Sequence, residues 1–179
     1  DCVMENLQIL LRQHVGKPCA PVVKKGDKVR RGTLIAEPTG LGANIFSSAD
    51  GVVEDVLEDR IIIKPDEEQS DYEKIPEGTP LEMVKAAGVV GMGGAGFPTG
   101  IKLDTHFDGD GYILVNASEC EPGLAHNIEQ LDREPEKVIK GVKYAMEISG
   151  ADKAIIAIKK KHHDTIVKLD KLLADEPAI

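Results

Sequence analysis

The sequence predicts an all-β module followed by the beginning of an α/β domain, and three observations carry that reading. Short apolar runs punctuated by turn residues fill the region from about Leu7 to Ile63. The polar, acidic, proline-bearing stretch PDEEQSDYEKIPEGTP then interrupts any periodicity. Beyond it, apolar runs alternate with helical periods in the order strand, helix, strand, helix.

In the first region the strands are brief. Val22-Val23, a turn at Lys25-Gly26-Asp27-Lys28, Val29, a second turn at Arg31-Gly32, and Leu34-Ile35-Ala36 follow one another closely. Asn44 to Ser47, the turn Asp50-Gly51, and the strands Val52 to Leu57 and Arg60 to Ile63 complete the module. The polar stretch reads as a linker or a long surface loop with a solvated acidic run, and puts a domain boundary near residues 70 to 80, giving domains 1–70 and 71–179.

The second region opens on a short helix, with Thr79 as N-cap, Pro80 as its first residue, Gly88 as terminator, and Leu81, Val84 and Ala87 on one face. Tyr112 to Asn116 is an apolar run expected to be a buried strand. Pro135 opens a helix whose apolar stripe is Val138, Val142, Ala145, Met146 and Ile148, and Gly150 closes it. Ala154 to Ile158 is a second buried strand, and Thr165 to Ala174 a final helix with Ile166, Leu169, Leu172 and Leu173 along one side. This alternation predicts a parallel sheet, where ligands lie beyond the carboxyl ends of the strands. The segment Asn116-Ala117-Ser118-Glu119-Cys120-Glu121-Pro122-Gly123 occupies such an end.

Composition narrows the functional classes. The 179 residues are 41% hydrophobic and 30% charged, enough to build one or two soluble cores. A net charge of −9 argues against nucleic acid as a partner, because that binding needs a concentrated basic face. No apolar run approaches the roughly 20 residues of a transmembrane segment, and no leader pattern opens the chain, so a cytoplasmic protein is expected. The chain starts at Asp1 without a methionine, and a few preceding residues are expected. Cys2, Cys19 and Cys120 are far apart and form no Cys-x-x-Cys pair; a metal or iron–sulfur site held by this segment alone is not expected, nor is a disulfide framework. His126, His162 and His163 follow no ligand spacing, and the paired histidines read as exposed residues at a helix start.

The most distinctive string is GMGGAGFPTGIKLD, from Gly91 to Asp104. A glycine-rich loop lets backbone N–H groups approach phosphate oxygens, and a nearby lysine adds charge. Gly91-x-Gly93-x-x-Gly96 has dinucleotide-fingerprint spacing, but a helix precedes it, and Pro98 and Gly100 disfavour a helix starting at Gly96. The Gly-Lys-Ser or Gly-Lys-Thr of nucleoside triphosphatases is absent. On the glycines alone, a ligand loop and a structural turn remain open.

Two longer patterns resolve more. VVKKGDKVRRGTLIAEPTGLGANIFSSADGVVEDV resembles a biotinyl or lipoyl carrier domain, yet the hairpin tip, Thr39-Gly40-Leu41, lacks the lysine that family modifies. Gly40 and Gly42 can serve positive φ angles there but cannot carry a prosthetic group. A structural or docking barrel is expected rather than a swinging arm. The glycine string, followed by the strand YILVN and then ASECEPG, resembles the flavin-binding segments of the family that includes the flavoprotein subunit of respiratory complex I. With a lipoyl-like barrel ahead of them, these segments are similar to the RnfC/PrdC-like electron-transfer proteins, and TGLGANIFSS leans toward the PrdC branch, associated with proline reductase.

That resemblance implies a fold, a cofactor and a set of sites. The fold is a barrel-sandwich hybrid (lipoyl-like) module followed by the first part of a Rossmann-like α/β domain that binds FMN. Gly91, Gly93, Gly94, Ala95, Gly96 and Lys102 match the loop and lysine around the flavin, and Asn116, Ser118 and Glu119 match the second flavin segment. Phe97 and Glu121 match positions that place the nicotinamide nucleotide; Met92 and Ser118 depart from the arginine and aspartate of the complex I flavoproteins. No catalytic acid or base is implied, since hydride and electron transfer belong to the flavin. Cys120 could be redox-active or simply a small buried residue, and the latter is favoured. The implied role is an electron-transfer component between NADH or ferredoxin and a reductase or membrane oxidoreductase, with NAD(H) and either proline reductase or Rnf subunits as partners. Its expected place is the cytoplasm or the inner face of the cell membrane, as a peripheral protein. The alternative is a docking module without catalysis. The family's 4Fe-4S ligands and much of its flavin domain lie beyond the reach of this sequence, so an N-terminal fragment that holds flavin weakly or not at all is expected.

Overall fold

The structure, a computed structural model, describes residues 5–92, 94–119 and 121–179. Backbone proximity divides the chain into Asp1–Lys102 and Leu103–Ile179. The α1 helix and the glycine-rich loop fall in the first of these.

In the first unit, β1 (Leu7–Leu10), β7 (Arg60–Pro65), β6 (Gly51–Val56) and β3 (Lys28–Val29) form one antiparallel sheet in that order. A second sheet runs β2 (Ala20–Pro21), β4 (Leu34–Glu37), β5 (Ile45–Phe46). Alternation fixes which face each strand buries. In β7, Ile61 and Ile63 are fully buried, and Ile63 lies opposite Leu7 on one side and Val53 on the other. With Leu11, Val29, Ile35 and Ile45 they make the core between the sheets, each such side chain contributing about 1.5–3 kcal/mol on burial. A register shift between Val53 and Asp55 leaves Glu54 as an extra, exposed residue, a β-bulge.

Of the two readings of the acidic stretch, residues 66–73 are a surface loop held to the barrel rather than a free linker. Asp50, only 6% exposed, accepts hydrogen bonds from the Arg31 amide (2.7 Å), the Ser70 amide (2.7 Å) and the Ser70 hydroxyl. Gln69 brackets the same residue, accepting from its amide at 2.8 Å and donating to its carbonyl at 3.0 Å. Arg30 donates to the Asp71 carbonyl, the Glu73 amide to the Arg31 carbonyl, and the Arg31 guanidinium lies 6.0 Å from the Tyr72 ring centroid. Composition does not reveal the anchoring because its partners, Asp50 and the Arg30-Arg31 turn, lie elsewhere in the chain. Residues 66–73 form a strap against the barrel.

Helix α1 (Pro80–Ala86) begins as its sequence predicts. The Thr79 side chain accepts from the Glu82 amide while Glu82 accepts from the Thr79 amide, a reciprocal cap, and Pro80 fills the first turn. Gly88, with φ of 63°, ends it, and a Cβ there would lie 2.4 Å from the Asn44 carbonyl. A five-residue helix, α2 (Thr99–Leu103), follows the glycine loop. Gly100 sits inside it because a Cβ would come within 2.5 Å of the Lys85 side chain.

In the second unit, β8 (Tyr112–Asn116) pairs in parallel with β9 (Lys153–Ala157), Asn116 opposite Ala157. Helices α3 (His126–Arg133) and α4 (Pro135–Ser149) make the crossover, and α5 (His163–Leu172) follows β9. Ala117, Leu131, Ile139 and Leu169 form the core. Gly150 closes α4 in the left-handed conformation, φ 70°. The strands are half-buried rather than buried on both faces: Tyr112, Leu114 and Ile155 are 52, 68 and 51% exposed, on a face no described helix covers. Helix α3 was not legible, because Ala125 offers no side-chain cap and the cap comes from Glu119, outside the helix. Of the paired histidines, His163 is exposed at the start of α5, but His162 is half-buried, with Nε2 unpaired among the described residues.

Candidate functional site

The glycine loop is closed at its base by a short antiparallel ladder. Val90 bridges Pro98, the Gly91 amide donates to the Phe97 carbonyl at 2.9 Å, and the Thr99 amide to the Val89 carbonyl at 2.9 Å. This closure turns the string into a protruding loop, and Pro98 is compatible with it because the ladder asks nothing of its missing N–H. Met92, at the tip, is 90% exposed.

The loop's glycines serve different ends. Gly96 is buried with φ of 67°, and a Cβ on it would meet the His14 Cα at 3.1 Å and the Gln13 carbonyl at 3.2 Å. Its glycine identity follows from this chain's own packing. Among the described residues a Cβ on Gly94 would meet nothing within 4 Å; Gly91 is nearly as open, with its nearest atoms at 3.8 Å. Nothing in the described residues requires glycine at those two positions. They present bare backbone to open space, the surface a planar ring or a phosphate needs for close approach, so the residues fit a flavin loop. Gly93 lies outside the described residues.

Ala95 is exposed, and its carbonyl accepts from the Val15 amide at 2.7 Å. Phe97 is 39% exposed and the Lys102 ammonium stands 5.8 Å from its ring centroid, a separation at which a cation and an aromatic face attract. The loop, Phe97 and Lys102 thus belong to one local structure in the first unit.

At the hairpin tip of the barrel, Thr39, Gly40 and Leu41 connect β4 to β5. Neither Gly40 nor Gly42 has positive φ, contrary to the turn expectation. Gly42 is instead required by close approach, since a Cβ would lie 2.5 Å from the His14 ring, while Gly40 faces open space.

In the second unit the strand-end segment is built around Glu119, 9% exposed. Its carboxylate accepts from the Asn127 amide (2.5 Å), the Asn127 side chain (3.1 Å) and the Ile128 amide (3.3 Å), with the His126 ring at 3.8 Å. Burial pushes this carboxyl up, but the amides at the start of α3 and the nearby histidine outweigh it and hold it below the usual carboxylate range. Lys159 donates to the Glu119 carbonyl. The carboxylate faces α3 rather than open space, which gives Glu119 a hold on the loop. Asn116 is exposed at the strand end and its Oδ1 accepts from the Ser118 amide at 3.1 Å, a local turn; Ser118 is half-buried and Glu121 exposed. Cys120 lies outside the described residues.

His14 escaped sequence reading. It is 7% exposed; Nδ1 lies 3.0 Å from the Val15 carbonyl oxygen, and Nε2 is 3.1 Å from the Ala43 amide nitrogen, 3.2 Å from the Ala43 carbonyl oxygen and 3.3 Å from Cys19 Sγ. The Cys19 thiol donates to the Ala43 carbonyl at 3.2 Å, and burial pushes this thiol up. No motif surrounds His14, and its partners are remote in sequence.

The first unit thus carries a β barrel whose hairpin tip has no lysine and an open-faced glycine loop, and the second a parallel strand ending in an Asn-Ala-Ser-Glu turn. The chain belongs to the family of the Nuo51 FMN-binding domain, which residues 84–179 match, and residues 3–70 match the RnfC barrel sandwich hybrid domain. It is 34% identical over 192 residues to a subunit of the proton-translocating ferredoxin:NAD(+) oxidoreductase complex of Clostridium ljungdahlii, covering 94% of this chain and 41% of the relative. It is 35% identical over 196 residues to the corresponding subunit of the Na(+)-translocating ferredoxin:NAD(+) oxidoreductase complex of Acetobacterium woodii, covering 96% of this chain and 43% of the relative. Over 92 residues it is 48% identical to cobalamin reductase PduS of Citrobacter freundii, covering 51% of this chain and 20% of that protein. The chain thus spans about two fifths of the length of the two ferredoxin:NAD(+) oxidoreductase relatives. Among the described residues no helix is long and apolar enough to cross a membrane.

Proposed function

We propose that this chain is the barrel and the first part of the flavin domain of an electron-transfer protein that passes electrons between NADH or ferredoxin and a reductase or membrane oxidoreductase. The observation that carries it is the bare backbone at Gly91 and Gly94, which no packing within the described residues explains. When bound, FMN supplies the hydride and single-electron chemistry. The chain supplies placement: Gly91, Gly93, Gly94, Ala95 and Gly96 as the loop against the flavin, and Lys102 as a positive charge for its phosphate. Asn116, Ser118 and Glu119 form the second flavin segment, and Phe97 and Glu121 are the nucleotide-facing positions. A functional boundary near residue 70 agrees with where the barrel match stops.

The relatives' names favour NAD(+) and ferredoxin as redox partners. Proline reductase as acceptor rests on TGLGANIFSS alone. In either case the protein works in the cytoplasm or at the inner face of the membrane, and 4Fe-4S clusters belong to residues farther along the full-length protein.

The test is FMN titration and iron analysis of the full-length protein, with Gly94→Trp as the variant. Bound FMN, and an affinity at least about tenfold weaker in the variant, a loss of some 1.4 kcal/mol, supports the reading. FMN affinity unchanged by the tryptophan supports the docking-module alternative instead.

A further inference from the structure

We infer that the barrel's role is to hold the flavin loop in its binding shape, with His14 as the positioning residue; this rests on the flavin reading of the loop. Residues 13–16 lie between two structures that are far apart in sequence. On one side is the hairpin tip. A Cβ on Gly16 would lie 2.1 Å from the Leu41 carbonyl, a Cβ on Gly42 2.5 Å from the His14 ring, and the Ala43 amide donates to His14 Nε2. On the other side is the glycine loop. The Val15 amide donates to the Ala95 carbonyl at 2.7 Å, and Gly96 packs directly on the His14 and Gln13 backbone.

His14 ties the two together. Its ring is held at both nitrogens, by the Val15 carbonyl and the Ala43 amide, so neither the ring nor the backbone that grips Ala95 can shift alone. Three glycines, Gly16, Gly42 and Gly96, admit the close approaches that this arrangement needs. A protruding loop with open glycines would otherwise sample many shapes and bind a cofactor at the cost of ordering itself. The hairpin tip, which in carrier domains presents a modified lysine, here braces a binding loop of the same chain.

The coupling is reciprocal, since whatever the weld contributes to FMN binding, FMN must return to the weld. The experiment therefore begins with unaltered full-length protein. Hydrogen exchange of the Val15 amide is expected to slow at least about fivefold when FMN is bound, a coupling of the size typical between linked sites. The Val53 amide, bonded to Asp27 inside the barrel, serves as the reference for barrel opening. FMN binding with no change at Val15 overturns the inference and leaves the flavin reading intact; absence of FMN binding overturns the flavin reading itself. His14→Ala is expected to weaken FMN binding about tenfold and change the bound-flavin circular dichroism, with exchange at Val53 unchanged. His14→Gln, whose side-chain oxygen can accept from the Ala43 amide, is expected to restore affinity to within about threefold of the original. Unaltered FMN affinity in His14→Ala overturns the role assigned to His14. Should that variant unfold, the Val15 measurement decides alone.

Discussion

Gly94 and Gly96 sit two residues apart in one loop, yet a methyl group added to each would meet opposite fates. At Gly94 it would enter open space; at Gly96 it would press on His14 backbone in a conformation unfavourable to any L side chain. Gly94→Ala should therefore leave thermal stability unchanged, whereas Gly96→Ala should lower the melting temperature of the chain, both measurable by calorimetry. Glu119 supports a second residue-scale prediction. Its folded carboxyl titrates below the ordinary value of about 4.3. The stability it contributes is present above that value and is lost as pH falls through the lower folded one. Glu119→Gln should therefore flatten the pH dependence of unfolding below about pH 5, the range where an unfolded glutamate begins to protonate, and lower stability at neutral pH. The glycine loop and the strand-end turn were readable because glycine and proline punctuate locally. His14 was not, because its ring nitrogen meets Ala43 across a separation of 29 residues, which no local pattern encodes.

At the scale of elements, helix boundaries follow capping chemistry wherever the cap lies in the same segment. Thr79, Pro80 and Gly88 bound α1, and Pro135 and Gly150 bound α4, as their residue types dictate. Thr79→Ala should cost about 1 kcal/mol in chemical denaturation. Helix α3 shows the limit of such reading: its cap is Glu119, separated from it by a loop, so its polar sequence looks like more loop. The half-buried strands β8 and β9 show another limit. Tyr112-Ile113-Leu114-Val115 is apolar at successive positions, and that pattern says nothing about whether both faces are covered. In β7 alternation and burial coincide, and Ile63→Ala, at a fully buried site shared by Leu7 and Val53, should cost about 2–5 kcal/mol.

For the whole molecule, composition distinguished a β module from an α/β region but left open whether the acidic stretch between them is a linker or a surface loop. Charge and proline suit a free tether and a solvated surface loop equally. Asp50 converts it into a strap, and its carboxyl is held down at about 2 by the Ser70 hydroxyl and by the Arg31 and Ser70 amides. An unfolded aspartate titrates near about 3.9, so this anchor is fully present above pH 4 and is lost between about pH 4 and 2. The protection factor of the Ser70 amide, its exchange relative to the intrinsic rate at each pH, should fall across that window, and Asp50→Ala should show the low protection already at neutral pH, together with several-fold faster protease cleavage within residues 66–73.

The strap has a further consequence in polymer terms. Fixed to the barrel through Glu73, it leaves only residues 74–78 as free chain before the Thr79 cap, instead of residues 66–78. Loop-closure probability falls as the three-halves power of length, so the shorter tether raises the local concentration of α1 at its seat on Asn44 by about fourfold. Helix α1 leads directly into the glycine loop. Carboxylate protonation at Asp50, remote from that loop in sequence, would thus dilute the loop's own anchor without touching a residue in it.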